Sequence, residues 1–181
     1  MRLRSFTTEG IILAKRNYSE ADRIISIYTK NFGRLSFLAK GVRRPKSRKR
    51  GHLEVFSLVK IQASLSKSLP LLVEAETIDS YPQVRKDLRK ISVAYYFMEV
   101  VGRTTHEGEE HNELFELIKE YLEKLSLEKN LKELRLDFIE KLLTILGFWP
   151  KGKALADPDR FLENVIERNI SSVRVGKQLL T

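Results

Sequence analysis

Asp79-Ser80-Tyr81-Pro82-Gln83-Val84 is the stretch at which the chain changes its period. Before it, apolar side chains return at every second residue; after it they return at every third or fourth. The first repeat is that of a half-buried strand and the second that of one helix face. Working back from this point, Leu71 to Ile78 predicts a strand, entered through a turn at Lys67–Pro70. Val55, Ser57, Val59, Ile61 and Ala63 alternate with Phe56, Leu58, Lys60, Gln62 and Ser64, which predicts another strand over 55–65. Leu35, Phe37 and Ala39 share one face of a strand over 34–40, and Asn31-Phe32-Gly33 before it has the residues of a hairpin turn. Ile24, Ile25, Ile27 and Tyr28 predict the strand before that. Gly10-Ile11-Ile12-Leu13-Ala14 predicts the first, with Arg16-Asn17-Tyr18-Ser19-Glu20 as the turn between the two. Five short strands with tight connections suit a small barrel or sandwich, and a closed barrel leaves no edge for aggregation.

Working forward, Val84, Leu88, Ile91, Tyr95 and Met98 place one apolar face on a first helix. Leu114, Leu117, Ile118, Tyr121, Leu122 and Leu125 do the same for a second, with Asn112 as its N-cap. Leu131, Leu134, Phe138, Leu142, Ile145 and Leu146 mark a third, closed by Gly147. Asp157-Pro158 opens a fourth through Phe161, Leu162, Val165 and Ile166. The expected fold is α+β: a five-stranded β-barrel over residues 1–82, then an all-helical domain over 83–181. There is no internal repeat.

The charge is as uneven as the period. Of 181 residues, 1–82 hold 16 Lys and Arg against 7 Asp and Glu, while 83–181 hold 17 of each, so the net +9 lies wholly in the strand-rich part. Lys40, Arg43, Arg44, Lys46, Arg48, Lys49 and Arg50 put seven cations into eleven residues with no acid among them. Such a block is either a solvated, self-repelling loop or a partner for a polyanion, and a phosphate backbone is the commonest polyanion in a cytoplasm.

The chain has no cysteine, which excludes disulfides, thiolate zinc sites, iron–sulfur clusters and a Cys nucleophile. Its apolar runs fall far short of the about 18 residues of a membrane span. Met1-Arg2-Leu3-Arg4 leads into Ser5-Phe6-Thr7-Thr8-Glu9 rather than a signal-peptide core, so a cytoplasmic protein is expected. A Walker loop at Lys46-Ser47 would need glycines where Lys40 and Pro45 stand, and no G-x-S-x-G elbow exists. His106 and His111, among Glu107, Glu109 and Glu110, are five apart and so not on one helix face; no metal site is expected there. Glu20 and Asp22 would suit a Mg²⁺ nuclease, or would cap the turn between the first two strands, and the second reading is preferred. No catalytic residues and no cofactor are expected.

Binding chemistry fits better. A small barrel with a dense cationic loop between its third and fourth strands has what single-stranded nucleic acid needs. Lys15, Arg16 and Arg34 would extend the basic groove of Lys40, Arg43, Arg44, Lys46, Arg48, Lys49 and Arg50. Tyr18, Phe32, Phe37 and Tyr81 are candidates for base stacking or for core packing, and His52 ends the basic loop. In the helical part, Phe148 and Trp149 are either an aromatic lid on the core or, with Lys151 and Lys153, a pocket for an acidic, aromatic peptide tail.

Several of these strings together resemble the N-terminal region of the bacterial RecO family of DNA repair proteins. They are Gly10-Ile11-Ile12-Leu13, Tyr18-Ser19-Glu20-Ala21-Asp22-Arg23-Ile24, Phe32-Gly33-Arg34, and Ala39-Lys40-Gly41-Val42-Arg43-Arg44-Pro45-Lys46-Ser47. The turn at Leu69-Pro70, the Glu74-Ala75-Glu76 strand and Tyr95-Tyr96 are also similar to that family. The resemblance implies an N-terminal OB-fold and a C-terminal helical domain. It further implies a nucleoid-associated recombination mediator that binds single- and double-stranded DNA, anneals complementary strands and hydrolyses no nucleotide. Its implied partners are RecR, the RecA recombinase and the C-terminal tail of single-strand-binding protein. Two departures stand out. Several relatives carry a four-cysteine zinc module absent here, so no zinc is expected. The chain ends at Leu179-Leu180-Thr181, so reduced C-terminal helices are expected, with Arg174 and Lys177 as further cations for the tail pocket. The competing reading in another class is an RNA-binding OB protein associated with ribosomes or structured RNA, which has the same charge footprint. An interaction scaffold whose basic loop meets an acidic protein is the remaining one.

Overall fold

A computed structural model describes residues 5–166; Arg174, Lys177 and Leu179 to Thr181 lie outside the described residues. Five strands, β1 (Ser5–Asn17), β2 (Arg23–Thr29), β3 (Gly33–Ala39), β4 (Leu58–Ser64) and β5 (Leu71–Asp79), close into a barrel in the order β1-β2-β3-β5-β4. The neighbours are antiparallel except β3 and β5, which meet in parallel at Leu38 and Leu71. That order and closure are those of an OB-fold.

The barrel closes because β1 serves two neighbours. Its first half pairs with β4 and its second with β2, and the register shifts between Ile12 and Ala14. Such a bulge bends the strand around the barrel. Gly10 faces both neighbours, opposite Thr29 and Val59. A Cβ there would sit 2.4 Å from Ile27 Cγ2, so only glycine allows the crossing. Ile12, Ile25, Ile27, Phe37, Val59 and Ile61 share one buried face and fill the interior, while Ile11 is buried on the opposite face of β1.

β4 starts later than its alternation predicts. Val55 to Ser57 form a corner in which Ile12 N–H donates to Ser57 O at 3.1 Å and Phe56 N–H to Ile12 O at 2.8 Å. Phe56 takes a left-handed φ of 57°, unusual for an aromatic residue, while its side chain is fully buried. Burial overrides backbone preference at this position. Conversely, β1 runs through Arg16 and Asn17, which the sequence assigns to the turn.

Four helices follow: α1 (Leu88–Thr104), α2 (Asn112–Leu127), α3 (Leu131–Ile145) and α4 (Pro158–Ile166). Asp87 caps α1 by accepting from Arg89 N–H, Asn130 caps α3 from Glu133 N–H, and Asp157 accepts from Arg160 N–H ahead of Pro158. α2 is entered through His111, one residue earlier than expected, with no side-chain cap. Gly147, at φ 77°, ends α3 with a pair of reverse hydrogen bonds, its own N–H to Thr144 O and Phe148 N–H to Leu143 O. That is the Schellman arrangement glycine favours.

The sequence misplaces the buried stripe of α1. Leu88 is 68% and Tyr95 45% exposed, whereas Val93, Ala94, Tyr96, Phe97, Val100 and Val101 are buried. The helix is packed on the barrel on one side and on α2 and α3 on another, so two faces are apolar and a single stripe is a poor description. Phe97, Tyr121 and Phe138 form an aromatic cluster with centroid separations of 4.0 to 6.2 Å. Barrel and helices share one continuous apolar core, from Ile11 to Leu162. Among the described residues, no helix is long and apolar enough to cross a membrane.

Candidate nucleic-acid interface

The basic loop between β3 and β4 is built from consecutive turns. Arg44 N–H donates to Gly41 O, Ser47 N–H to Arg44 O and His52 N–H to Lys49 O, ending in a 3-10 turn at Arg50–His52. Gly41 starts the series at a φ of 65°, which glycine adopts without strain. Val42 and Leu53 drop into the core and hold both ends of the loop down. Asp22 Oδ1 accepts from Gly41 N–H at 2.7 Å, and Arg43 N–H donates to Ala21 O. The Gly41 hydrogen bond holds the Asp22 carboxyl below the usual carboxylate range, helped by Ser19, Lys40 and Arg44. Asp22 therefore braces the loop from the β1–β2 turn, while Glu20 makes no such bond.

The loop overhangs the outer faces of β4 and β5 and encloses a groove of about 850 Å³. Lys40, Arg44, Lys46, Arg48 and Lys49 of the loop line it together with Lys60 of β4 and Glu74 and Glu76 of β5, Lys60 and Glu76 being cross-strand neighbours. Lys60 escapes the sequence reading, although the alternation of β4 already sets it outward beside Gln62. Lys49 is not an open cation: its Nζ donates to Leu72 O at 2.9 Å, and burial pulls the ammonium below the ordinary lysine value. His52 is tied down too, its Nδ1 accepting from Thr77 N–H at 3.2 Å. Arg43 leans to the other side, donating to Ser19 O, and Arg50 lies exposed beyond the groove. Among the described residues, Lys40, Arg44, Lys46 and Arg48 form no salt bridge with a carboxylate, although Lys40 and Arg44 lie within the field of Asp22.

The three remaining candidates gather elsewhere. Lys15, Arg16 and Arg34 line a second, more apolar cleft of about 700 Å³ between β1–β3 and α1, where Arg103 joins them. Lys15 is paired with Glu54 at 2.6 Å, and Arg34 donates from Nη2 to Thr105 O at 2.9 Å. The cations read as one groove thus fall into two sites. Of the stacking candidates, Phe37 and Tyr81 are buried and serve the core, Phe32 packs edge-on against Phe6, and Tyr18 is 61% exposed.

Two family models divide this chain. Residues 1–81 match the N-terminal part of recombination protein O, and residues 85–156 match its C-terminal part. The chain belongs to the RecO family. It is 35% identical over 146 residues to the DNA repair protein RecO of Geobacter metallireducens, covering 81% of this chain and 60% of that one. The same protein of Syntrophobacter fumaroxidans is 34% identical over 148 residues, 82% of this chain and 59% of the relative. That of Moorella thermoacetica is 31% identical over 152 residues, 83% and 56%. The chain thus spans about three fifths of the length of the curated relatives it matches.

At the far end of this RecO-family chain, Phe148 is half exposed and Lys151 exposed. Trp149 turns inward: its indole N–H donates to Lys153 O at 2.7 Å and its ring meets Phe161 edge-on at 5.2 Å. It closes the 149–153 turn and covers the core between α3 and α4. His111 Nε2 lies 3.2 Å from Glu109, and Glu107 takes a hydrogen bond from Ser36 Oγ. These residues of the α1–α2 connection bind the barrel, where Gly108 N–H also donates to Arg34 O.

Proposed function

We propose that the chain is a DNA-binding recombination mediator that works by electrostatics and hydrolyses no nucleotide. The observation that carries this reading is the overhanging loop, whose Lys40, Arg44, Lys46 and Arg48 line a groove and form no salt bridge among the described residues. Cations so placed lower the repulsion between two phosphate backbones and let complementary bases meet. Single- and double-stranded DNA are the proposed ligands, with RecR as co-mediator in loading RecA onto coated strands in the nucleoid. Phe148 and Lys151, supported by Trp149, are the proposed contact for the acidic tail of single-strand-binding protein.

The test is fluorescence anisotropy of labelled single-stranded DNA across a salt series, with wild type beside an Arg43, Arg44, Lys46 and Arg48 quadruple Ala variant. If about five phosphates are neutralised, log K falls against log[salt] with a slope of about −3.5. The variant is expected to bind about 100-fold more weakly with a shallower slope. Equal binding by both proteins would remove the loop from the DNA site, and a preference for structured RNA with no annealing would replace the reading.

A further inference from the structure

We propose that the cleft between β1–β3 and α1 is a nucleobase subsite, taking an unpaired base against Tyr95 while Arg16 holds a neighbouring phosphate. The proposal rests on the DNA-binding reading above and adds a second contact, to bases, that the loop groove does not offer.

Four observations converge on the cleft. Its walls are apolar where a base would lie, with Leu13, Ile24, Val55 and Met98 among them. Tyr95 is 45% exposed there, while Tyr28, Tyr81, Tyr96 and Tyr121 are buried. Its ring is fixed by an edge contact with Phe56 at 5.7 Å, so a stacking partner loses little side-chain freedom on binding. Arg34, which also lines the cleft, is held by Thr105 O and has no carboxylate partner among the described residues, so its charge is not cancelled there.

The rim selects the ligand. Lys15, Arg16, Arg34 and Arg103 surround the apolar floor; Lys15 is paired to Glu54 and Arg103 to Glu99, while Arg16 and Arg34 have no carboxylate partner among the described residues. That balance suits a polyanion carrying flat apolar groups. An extended peptide would seek a free strand edge to pair with, and this barrel is closed. Gly102 supplies the room: a Cβ built on it meets nothing within 4 Å.

This openness also gives the test. Gly102→Leu fills the cleft without disturbing the backbone, and Tyr95→Ala removes the platform. Binding of a single-stranded oligonucleotide is compared with that of an abasic oligomer of equal length, and a 2-aminopurine reporter in the first reads stacking by its quenching. Wild type is expected to prefer the base-bearing strand by about tenfold. Gly102→Leu and Tyr95→Ala should abolish both preference and quenching while leaving the abasic oligomer bound as before; Tyr95→Phe should retain both. A preference that survives Gly102→Leu, or an equal loss for both oligomers, overturns the subsite even where the loop variant has confirmed DNA binding. Failure of wild type to bind either oligomer sinks the DNA-binding reading itself. An acidic peptide displaced by Gly102→Leu while base preference persists would assign the cleft to a protein and overturn the proposal.

Discussion

In the barrel half, Arg34, Arg43 and Lys49 are positioned by main-chain carbonyls, those of Thr105, Ser19 and Leu72. In the helical half, Arg103, Lys124, Arg135 and Lys141 are positioned by carboxylates, those of Glu99, Glu120, Asp159 and Asp137. A carbonyl fixes where a cation points but carries no net charge; a carboxylate fixes it and cancels it. The two halves are therefore both ordered, yet only the first projects a field. Lys15 with Glu54 and Lys30 with Glu9 are exceptions at the barrel's own surface, and Arg85 and Lys90, held by the carbonyls of Ser80, Val55 and Ser126, are exceptions on the helical side. Main-chain acceptors hold Arg34, Arg43 and Lys49 in place without neutralising them, and the charge of the barrel half is kept.

The contrast is broken most severely at Arg135. It is 6% exposed, forms a bidentate pair with Asp159 and lies 5.2 Å from the Tyr96 ring. Arg135→Ala strands a carboxylate against the core and should cost about 3–5 kcal/mol in urea unfolding. A loss under about 1 kcal/mol would show the pair to be dispensable. Next is Gly33→Ala. Gly33 has a φ of 62°, and a Cβ on it would lie 2.0 Å from Glu109 O, so hairpin and α1–α2 connection must separate. A destabilisation of about 2 kcal/mol is expected by thermal melting. Lys60→Ala sharpens the comparison from the binding side. It should flatten the salt slope for single-stranded DNA by about 0.7 and leave stability within about 0.5 kcal/mol. A slope unchanged by the substitution would take Lys60 off the phosphate path.

The smallest effect is expected at Asp22. Its folded pKa lies below its unfolded value, so its contribution is complete above the ordinary carboxylate range and is lost as pH falls through the folded value. Asp22→Asn should therefore melt lower than wild type near pH 7, and the two should converge in acid below about pH 4. A gap that persists into acid would mean that the amide, and not the lost charge, disturbs the loop.

Much of the fold was legible because the period of the apolar residues changes once and cleanly, at Tyr81-Pro82. What was hidden came from packing on two sides. α1 has apolar residues around most of its circumference, so the stripe through Leu88 and Tyr95 looked buried when Val93, Phe97 and Val100 are. Phe56 alternates like a strand residue yet occupies a left-handed corner. The charged loop was visible as composition, and its seven cations were visible as a block. Their division was not: which of them meet carbonyls, and that Lys15, Arg16 and Arg34 belong to another cleft, depends on barrel closure. Gly102 carried no signal at all, since its value lies in what is missing beside it.

The unbroken core running from Ile11 to Leu162 has a practical consequence. Phe56 is covered by Arg85, whose guanidinium sits 3.9 Å from its ring and donates to Val55 O, and by Tyr95 beyond it. A chain cut after residue 82 would lose both covers and bare the barrel's corner to water. The strands are therefore no detachable cassette: grafted onto another protein, they would have to bring the first helix along as their missing wall.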